Sequence, residues 1–176
     1  MIKAVYVPWL HMHQPLVLIH EKLISNIEMM LESNDSGVVW DAKLMLRAYN
    51  NPAKYCAELL KAGYKPKIML DFSGILLETL EKLSEDKKFS VEVYGEKIKN
   101  VINEYKKVLD KSCIEIAGTA FSHCYFPTTP EKDWLYQLEE WRNSFKRMFG
   151  KKNLDRVKGF WLPEMGVPGF EDKLGK

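Results

Sequence analysis

The sequence predicts an α/β fold in which about four parallel strands are flanked by helices, the inventory of half a barrel. Three observations point there. Short β-branched and aromatic runs alternate with longer segments of helical periodicity. Those helical segments are long enough for the crossovers that join parallel strands. The chain has 176 residues, and a complete (β/α)8 barrel takes roughly 250, so only part of such an arrangement fits.

Taken in order, residues 2–10 read as a first strand. A helix is expected over 21–32, with Leu23, Ile24, Ile27, Met30 and Leu31 on one face, closed by the turn Ser33-Asn34-Asp35-Ser36-Gly37. A second helix begins near Asp41. A third opens at Asn51 with Pro52 at its first helical position and stops at Gly63. Residues 67–71 form a second strand, followed by a helix over 75–83. The clearest helical period covers 96–111, through Ile98, Val101, Ile102, Tyr105, Val108 and Leu109. A third strand at 113–117 precedes a helix opened by Thr129 and Pro130, with Trp134, Leu135, Leu138, Trp141 and Phe145 on one side. Residues 157–162 make the fourth strand. No repeat, linker or composition break divides the chain, so 1–176 reads without an internal boundary.

Composition excludes several classes. With 26 basic against 24 acidic side chains, the formal charge of +2 gives no electrostatic reason for nucleic acid or an anionic membrane as partner. No apolar run approaches a membrane span, and the N-terminus lacks the apolar core of a signal peptide. Three cysteines without a CxxC spacing argue against a disulfide framework or zinc knuckle, and reduced thiols point to the cytoplasm.

In parallel α/β folds the loops leaving strand C-termini carry function. Strand one exits into His11-Met12-His13-Gln14-Pro15 and strand two into Asp71-Phe72-Ser73-Gly74. Strand three exits through Gly118 to His123, and strand four into Pro163-Glu164-Met165-Gly166. Three of the four histidines and an isolated Glu therefore converge on one end of the sheet.

Each has a plainer alternative. His11 and His13, two apart, project the same way and could hold a metal, although no third and fourth ligand stands at recognisable spacing. Alternatively His13 donates to a ligand or neighbour while His11 is structural. His20 is expected without a partner on a helix-entry surface. Glu164, after an apolar run, is either poised for chemistry or a helix-start carboxylate. His123 sits among aromatics that could form a sugar-stacking surface or a core. Asp71 reads as a helix cap. Glu115, between Ile114 and Ile116, is expected to face a polar interior.

The ordered set of motifs resembles the N-terminal half of glycoside hydrolase family 57 catalytic domains, which act on α-glucans. His13-Gln14-Pro15 looks like that family's first conserved region. Glu115-Ile116-Ala117-Gly118-Thr119 through His123, with Pro127 beyond, is similar to its second. Gly159-Phe160-Trp161-Leu162-Pro163-Glu164-Met165-Gly166 looks like its third, and Phe72-Ser73-Gly74-Ile75-Leu76-Leu77-Glu78 is also similar to a common stretch.

The resemblance implies a partial (β/α)7-type barrel, 1–176 being the N-terminal part of one catalytic domain, and a retaining mechanism without metal or other cofactor. It implies Glu164 as nucleophile, His13, His123 and His11 on sugar hydroxyls, and Trp161 shaping the subsite. The family's acid/base Asp lies in a fourth region beyond Lys176, so the chain is expected to be a fragment of an α-amylase-like hydrolase or transglycosylase. A C-terminal half or partner chain would complete the barrel. The rival expectations are a metal-dependent hydrolase using His11 and His13, and a non-catalytic half-domain that needs a partner chain.

Overall fold

The computed structural model describes residue 4 and residues 6–169. In chain order the elements are β1 (Trp9–Met12), β2 (Leu16–Ile19), β3 (Lys22–Ser25), α1 (Asn26–Leu31), α2 (Ser36–Lys61), β4 (Ile68–Phe72) and α3 (Gly74–Glu85). There follow β5 (Val91–Val93), β6 (Glu96–Ile98), α4 (Val101–Leu109), β7 (Ile114–Gly118), α5 (Glu131–Phe149), α6 (Lys151–Leu154) and β8 (Gly159–Phe160).

Four strands form one parallel sheet in the order β1-β4-β7-β8. Each new strand adds to the same side of the last. Right-handed crossovers that always step the same way leave their helices on one face of the sheet. Alternation then divides the side chains. Leu70 and Phe72 of β4, with Ile114 and Ile116 of β7, enter a core with Leu46 and Tyr49 of α2, Leu76 and Leu80 of α3, Tyr105 and Val108 of α4, and Trp141 and Phe145 of α5. Full burial of a side chain such as Leu70 or Phe72 contributes about 1.5–3 kcal/mol. The Tyr105 hydroxyl, inside this core, donates to the Tyr49 carbonyl at 2.8 Å.

The opposite face carries Trp9 and His11 of β1, Met69 and Asp71 of β4, and Glu115 and Ala117 of β7. The strand register puts His11 beside Asp71 and Asp71 beside Ala117. Glu115 is exposed on this face and does not enter a polar interior, because no helix among the described residues closes that side.

The structure corrects four element expectations. The helix expected over 21–32 is a hairpin strand followed by a short helix. His20 and Glu21 take left-handed φ of 46° and 64°, the geometry of a two-residue hairpin turn, and Ser25 with Glu28 forms the capping box that starts α1. His20 therefore sits in a turn. The two helices expected around Asp41 and Asn51 are one, with Pro52 inside α2. An interior proline costs about 3 kcal/mol, offset here because Leu46, Tyr49, Ala53 and Cys56 bury one continuous face across it. Residues 96–98 pair with β5 through a Tyr94-Gly95 turn at φ 49° and 75°, so that helix begins only after the Asn100 cap. The fourth strand is just Gly159–Phe160. Of the first strand expected over 2–10, residues 2, 3 and 5 lie outside the described residues and pairing begins at Trp9.

Gly74 opens α3 with its α-carbon against the Phe121 ring. A Cβ there would lie 2.1 Å from Phe121 Cδ2 and 2.8 Å from Cγ. Gly74→Ala must push this ring aside and is expected to destabilise by about 1–3 kcal/mol. A urea midpoint unchanged from that of the parent chain contradicts this packing.

Candidate active site at the C-terminal end of the sheet

The strand ends bring His11, His13, Asp71, Ser73, His123, Trp161 and Glu164 together. Asp71 has no solvent exposure. It accepts two hydrogen bonds, one from Trp9 Nε1 at 2.9 Å and one from His11 Nδ1 at 2.7 Å. An ionised carboxylate only accepts, so Asp71 fixes the proton on Nδ1 of His11. The other ring nitrogen, Nε2, faces Nε2 of His123 at 2.9 Å. His13 pairs through Nδ1 with the Ser73 hydroxyl at 2.9 Å and stacks on His123, ring centroids 4.0 Å apart and 13° from parallel. Trp161 lies over His11 at 5.1 Å and beside Trp9 at 5.4 Å.

Glu164 stands at the rim. Its side chain is 72% exposed, and Oε1 lies 3.8 Å from Nδ1 of His123, whose side chain is only 7% exposed. That is ion-pair distance, too long for a hydrogen bond. The ring of Tyr125 packs on the backbone of Gly166, where a Cβ would come within 2.2 Å of Cε2, which holds the His123 loop against the Glu164 turn. Thr119 Oγ1 donates to the Trp161 carbonyl at 2.9 Å and ties the same two loops.

Local costs gather here. His123, Glu164 and Met165 all have left-handed φ, at 56°, 54° and 53°, a region disfavoured for residues with a Cβ. The Trp161 Nε1 is buried without a hydrogen-bond partner. Strain of this kind clusters at functional sites.

Burial lowers the pKa of His13 to about 4, helped by the positive charges His123 and His11 can carry. Burial, then His11, also lowers that of His123, while Glu164 and Asp71 pull it up. His13 thus stays neutral near pH 7. A histidine whose folded pKa is depressed takes up a proton more readily when unfolded. The stability tied to His13 is therefore fully present above about pH 6.5 and is lost as the pH falls toward about 4. The expected outcome is a melting temperature that falls more steeply between pH 6.5 and pH 4 in the parent chain than in His13→Gln. Equal slopes contradict it.

Every sequence-predicted site residue lies at this end. Sequence reasoning missed three supporting side chains, Trp9, Asp71 and Ser73. Asp71 was expected as a helix cap, but Ser73 caps α3, accepting from the Leu76 amide, which leaves Asp71 to hold His11 and Trp9. The available signal was parallel register, since Asp71 is the residue opposite His11. His11 and His13 turn Nδ1 toward different partners on the β4 side, Asp71 and Ser73. Among the described residues no group of three or more His, Cys, Asp or Glu is placed to hold a metal ion. A cleft of about 670 Å³ bordered by Lys67, Glu115, Asp155 and Arg156 opens at the other end of the strands, away from this constellation. Among the described residues no helix is long and apolar enough to cross a membrane.

Among solved structures, a 4-alpha-glucanotransferase from Thermococcus litoralis is similar with a TM-score of 0.51 and 22% identity, covering 90% of this chain and 18% of that one. A branching enzyme of the family-57 type from the hyperthermophilic archaeon Pyrococcus horikoshii is similar with a TM-score of 0.55 and 18% identity, covering 90% of this chain and 34% of that one. This chain thus spans between about a fifth and a third of those proteins' length. At these identities the likeness speaks for the fold, a parallel α/β sheet of the kind found in such barrel enzymes. The search of curated proteins returned no match. The family model for glycosyl hydrolase family 57 matches residues 7–168, so the chain belongs to glycosyl hydrolase family 57.

Proposed function

We propose that the chain carries the nucleophile side of a retaining glycoside hydrolase or transglycosylase acting on α-glucans. The observation that carries this reading is the placement of Glu164. Among the described residues, the segments that leave the four sheet strands contain one carboxylate, Glu164, and it stands beside the His123 imidazole on the open rim. The likeness to a 4-alpha-glucanotransferase favours α-glucan over other glycans.

In the proposed reaction Glu164 attacks the anomeric carbon and forms a glycosyl ester, and the second carboxyl group stands about 5–5.5 Å away as acid/base. Asp71 cannot fill that second role, since both its oxygens are engaged by Trp9 and His11. Asp155 is held by Lys151, and Asp172 lies outside the described residues. The acid/base is therefore proposed to come from a C-terminal half, or from a partner chain, that completes the barrel across the uncovered face. On this reading residues 1–176 are the N-terminal part of one cytoplasmic catalytic domain. His13 and His123 bind sugar hydroxyls, His11 supports them from behind with both ring nitrogens engaged by Asp71 and His123, and Trp161 shapes the adjoining subsite. His13 suits this because its neutral ring keeps both a donor and an acceptor nitrogen.

The test is titration of the purified chain with maltoheptaose, read by imidazole and indole NMR shifts, beside a turnover assay on amylose. Glucan-induced shifts at His13, His123 and Trp161 with negligible turnover are expected, because general acid–base help contributes typically 10²–10⁴-fold. Rapid hydrolysis by the isolated chain contradicts the missing acid/base, and the absence of any shift contradicts the glucan site.

A further inference from the structure

We propose that Asp71, His11 and His123 form a proton-sharing chain running from the floor of the sheet to Glu164, with Asp71 as the positioning residue that sets the charge on the imidazole facing that carboxylate. The inference rests on the reading of Glu164 given above.

The hydrogen inventory of the contacts leads to it. Asp71 Oδ1 takes the His11 Nδ1 proton at 2.7 Å. The contact between the two Nε2 atoms at 2.9 Å needs one hydrogen, no more and no less. If both rings are neutral, His123 must donate from Nε2, and its Nδ1 then turns a lone pair toward Glu164 Oε1 at 3.8 Å. That arrangement is repulsive. With one further proton on the pair, His11 donates from both nitrogens and His123 presents Nδ1–H to Glu164, which is attractive.

From that state the proton can cross the short contact from His11 Nε2 to His123 Nε2. His11 is left neutral, still carrying Nδ1–H, and His123 becomes the imidazolium. No atom is gained or lost, and the positive charge has moved from beside Asp71 to beside Glu164. The two carboxylates therefore compete for one proton. When Glu164 is an anion it draws the charge outward. When it is esterified by sugar and neutral, the buried Asp71 draws the charge back.

The groups facing this pair come from four elements. His13, just after β1, stacks on His123, and Asp71 in β4 and Ser73 just after it lie below. The segment after β7 supplies His123 itself, and the turn after β8 supplies Glu164 and the Trp161 ring over His11. Burial and His11 lower the pKa of His123, and Glu164 and Asp71 act against them in favour of its charged form.

The experiment is long-range ¹H–¹⁵N correlation of the imidazoles in the 176-residue chain from about pH 4 to 9, a range spanning the ordinary histidine value. In the parent chain His11 is expected as the Nδ1–H tautomer, and His11 and His123 should each show both inflections of a coupled pair. Asp71→Asn should lower the first protonation step of the pair by about one pH unit or more. Glu164→Gln, at an exposed side chain, should move the His123 inflection and carry that of His11 with it through the shared Nε2 contact, while the shift of the pair in Asp71→Asn is the readout a purely structural role for Asp71 does not produce. His11 found as the Nε2–H tautomer, or two rings titrating independently and indifferent to Glu164→Gln, overturns the chain. Glucan added to the same sample separates the two readings. Coupled rings that ignore maltoheptaose retain the proton chain and contradict the glucan site.

Discussion

Glu164→Gln is expected to slow fluoride release from α-maltosyl fluoride by at least about 10³-fold, the scale on which deletion of a nucleophile acts in hydrolytic enzymes. Fluoride departs with little protonation, so this donor tests attack by Glu164 without a separate acid. The fold should not change. The side chain is 72% exposed, and substitutions at such surface positions stay within about 0.5 kcal/mol. Glu164→Ala leaves a space that azide can enter on the face the carboxylate occupied. Azide is expected to restore donor cleavage and to give β-maltosyl azide, because the small anion attacks from the nucleophile's side. An α-product, or rescue of the parent chain to the same extent, contradicts the assignment.

The second large effect is on stability. Asp71→Ala strips the acceptor from Trp9 Nε1 and from His11 Nδ1, both bonded to a side chain with no solvent exposure. Leaving such donors unsatisfied costs about 2–4 kcal/mol, or roughly 5–15 °C in melting temperature for a domain of this size. His11 also loses the bond that fixes its ring, so the contact with His123 loosens. Asp71→Asn keeps one acceptor oxygen and is expected to cost less than half as much. A loss under about 0.5 kcal/mol for Asp71→Ala means that water replaces the carboxylate, and contradicts its role as the floor of the site.

The parts of the fold that were legible in sequence are those where one period dominates. β4 and β7 are short apolar runs buried by helices on one face, and α5 keeps a helical stripe through Trp141 and Phe145. The two hairpins were not legible. The helix-like spacing of Leu23, Ile24 and Ile27 overlaps strand alternation over so few residues, and the left-handed turn at His20-Glu21 contains no glycine to announce it. Gly95 was the missed signal in the other hairpin. Pro52 misled for a tertiary reason, since burial on both sides of it outweighs a local preference. The site's residues were visible because strand ends in a parallel sheet collect polar groups. Their mutual arrangement was not, since pairing of Asp71 with His11 depends on register between β1 and β4, a relation between strands 62 positions apart at Trp9 and Asp71.

The most direct test is intact-mass and peptide-mass analysis of the chain after incubation with α-maltosyl fluoride. A retaining nucleophile that works without an acid/base forms its glycosyl ester and then stalls. One maltosyl unit on the peptide bearing Glu164, absent from the Glu164→Gln chain, is the expected result. A chain that binds the donor yet stays unmodified, or that carries the sugar on another residue, contradicts a nucleophile at position 164.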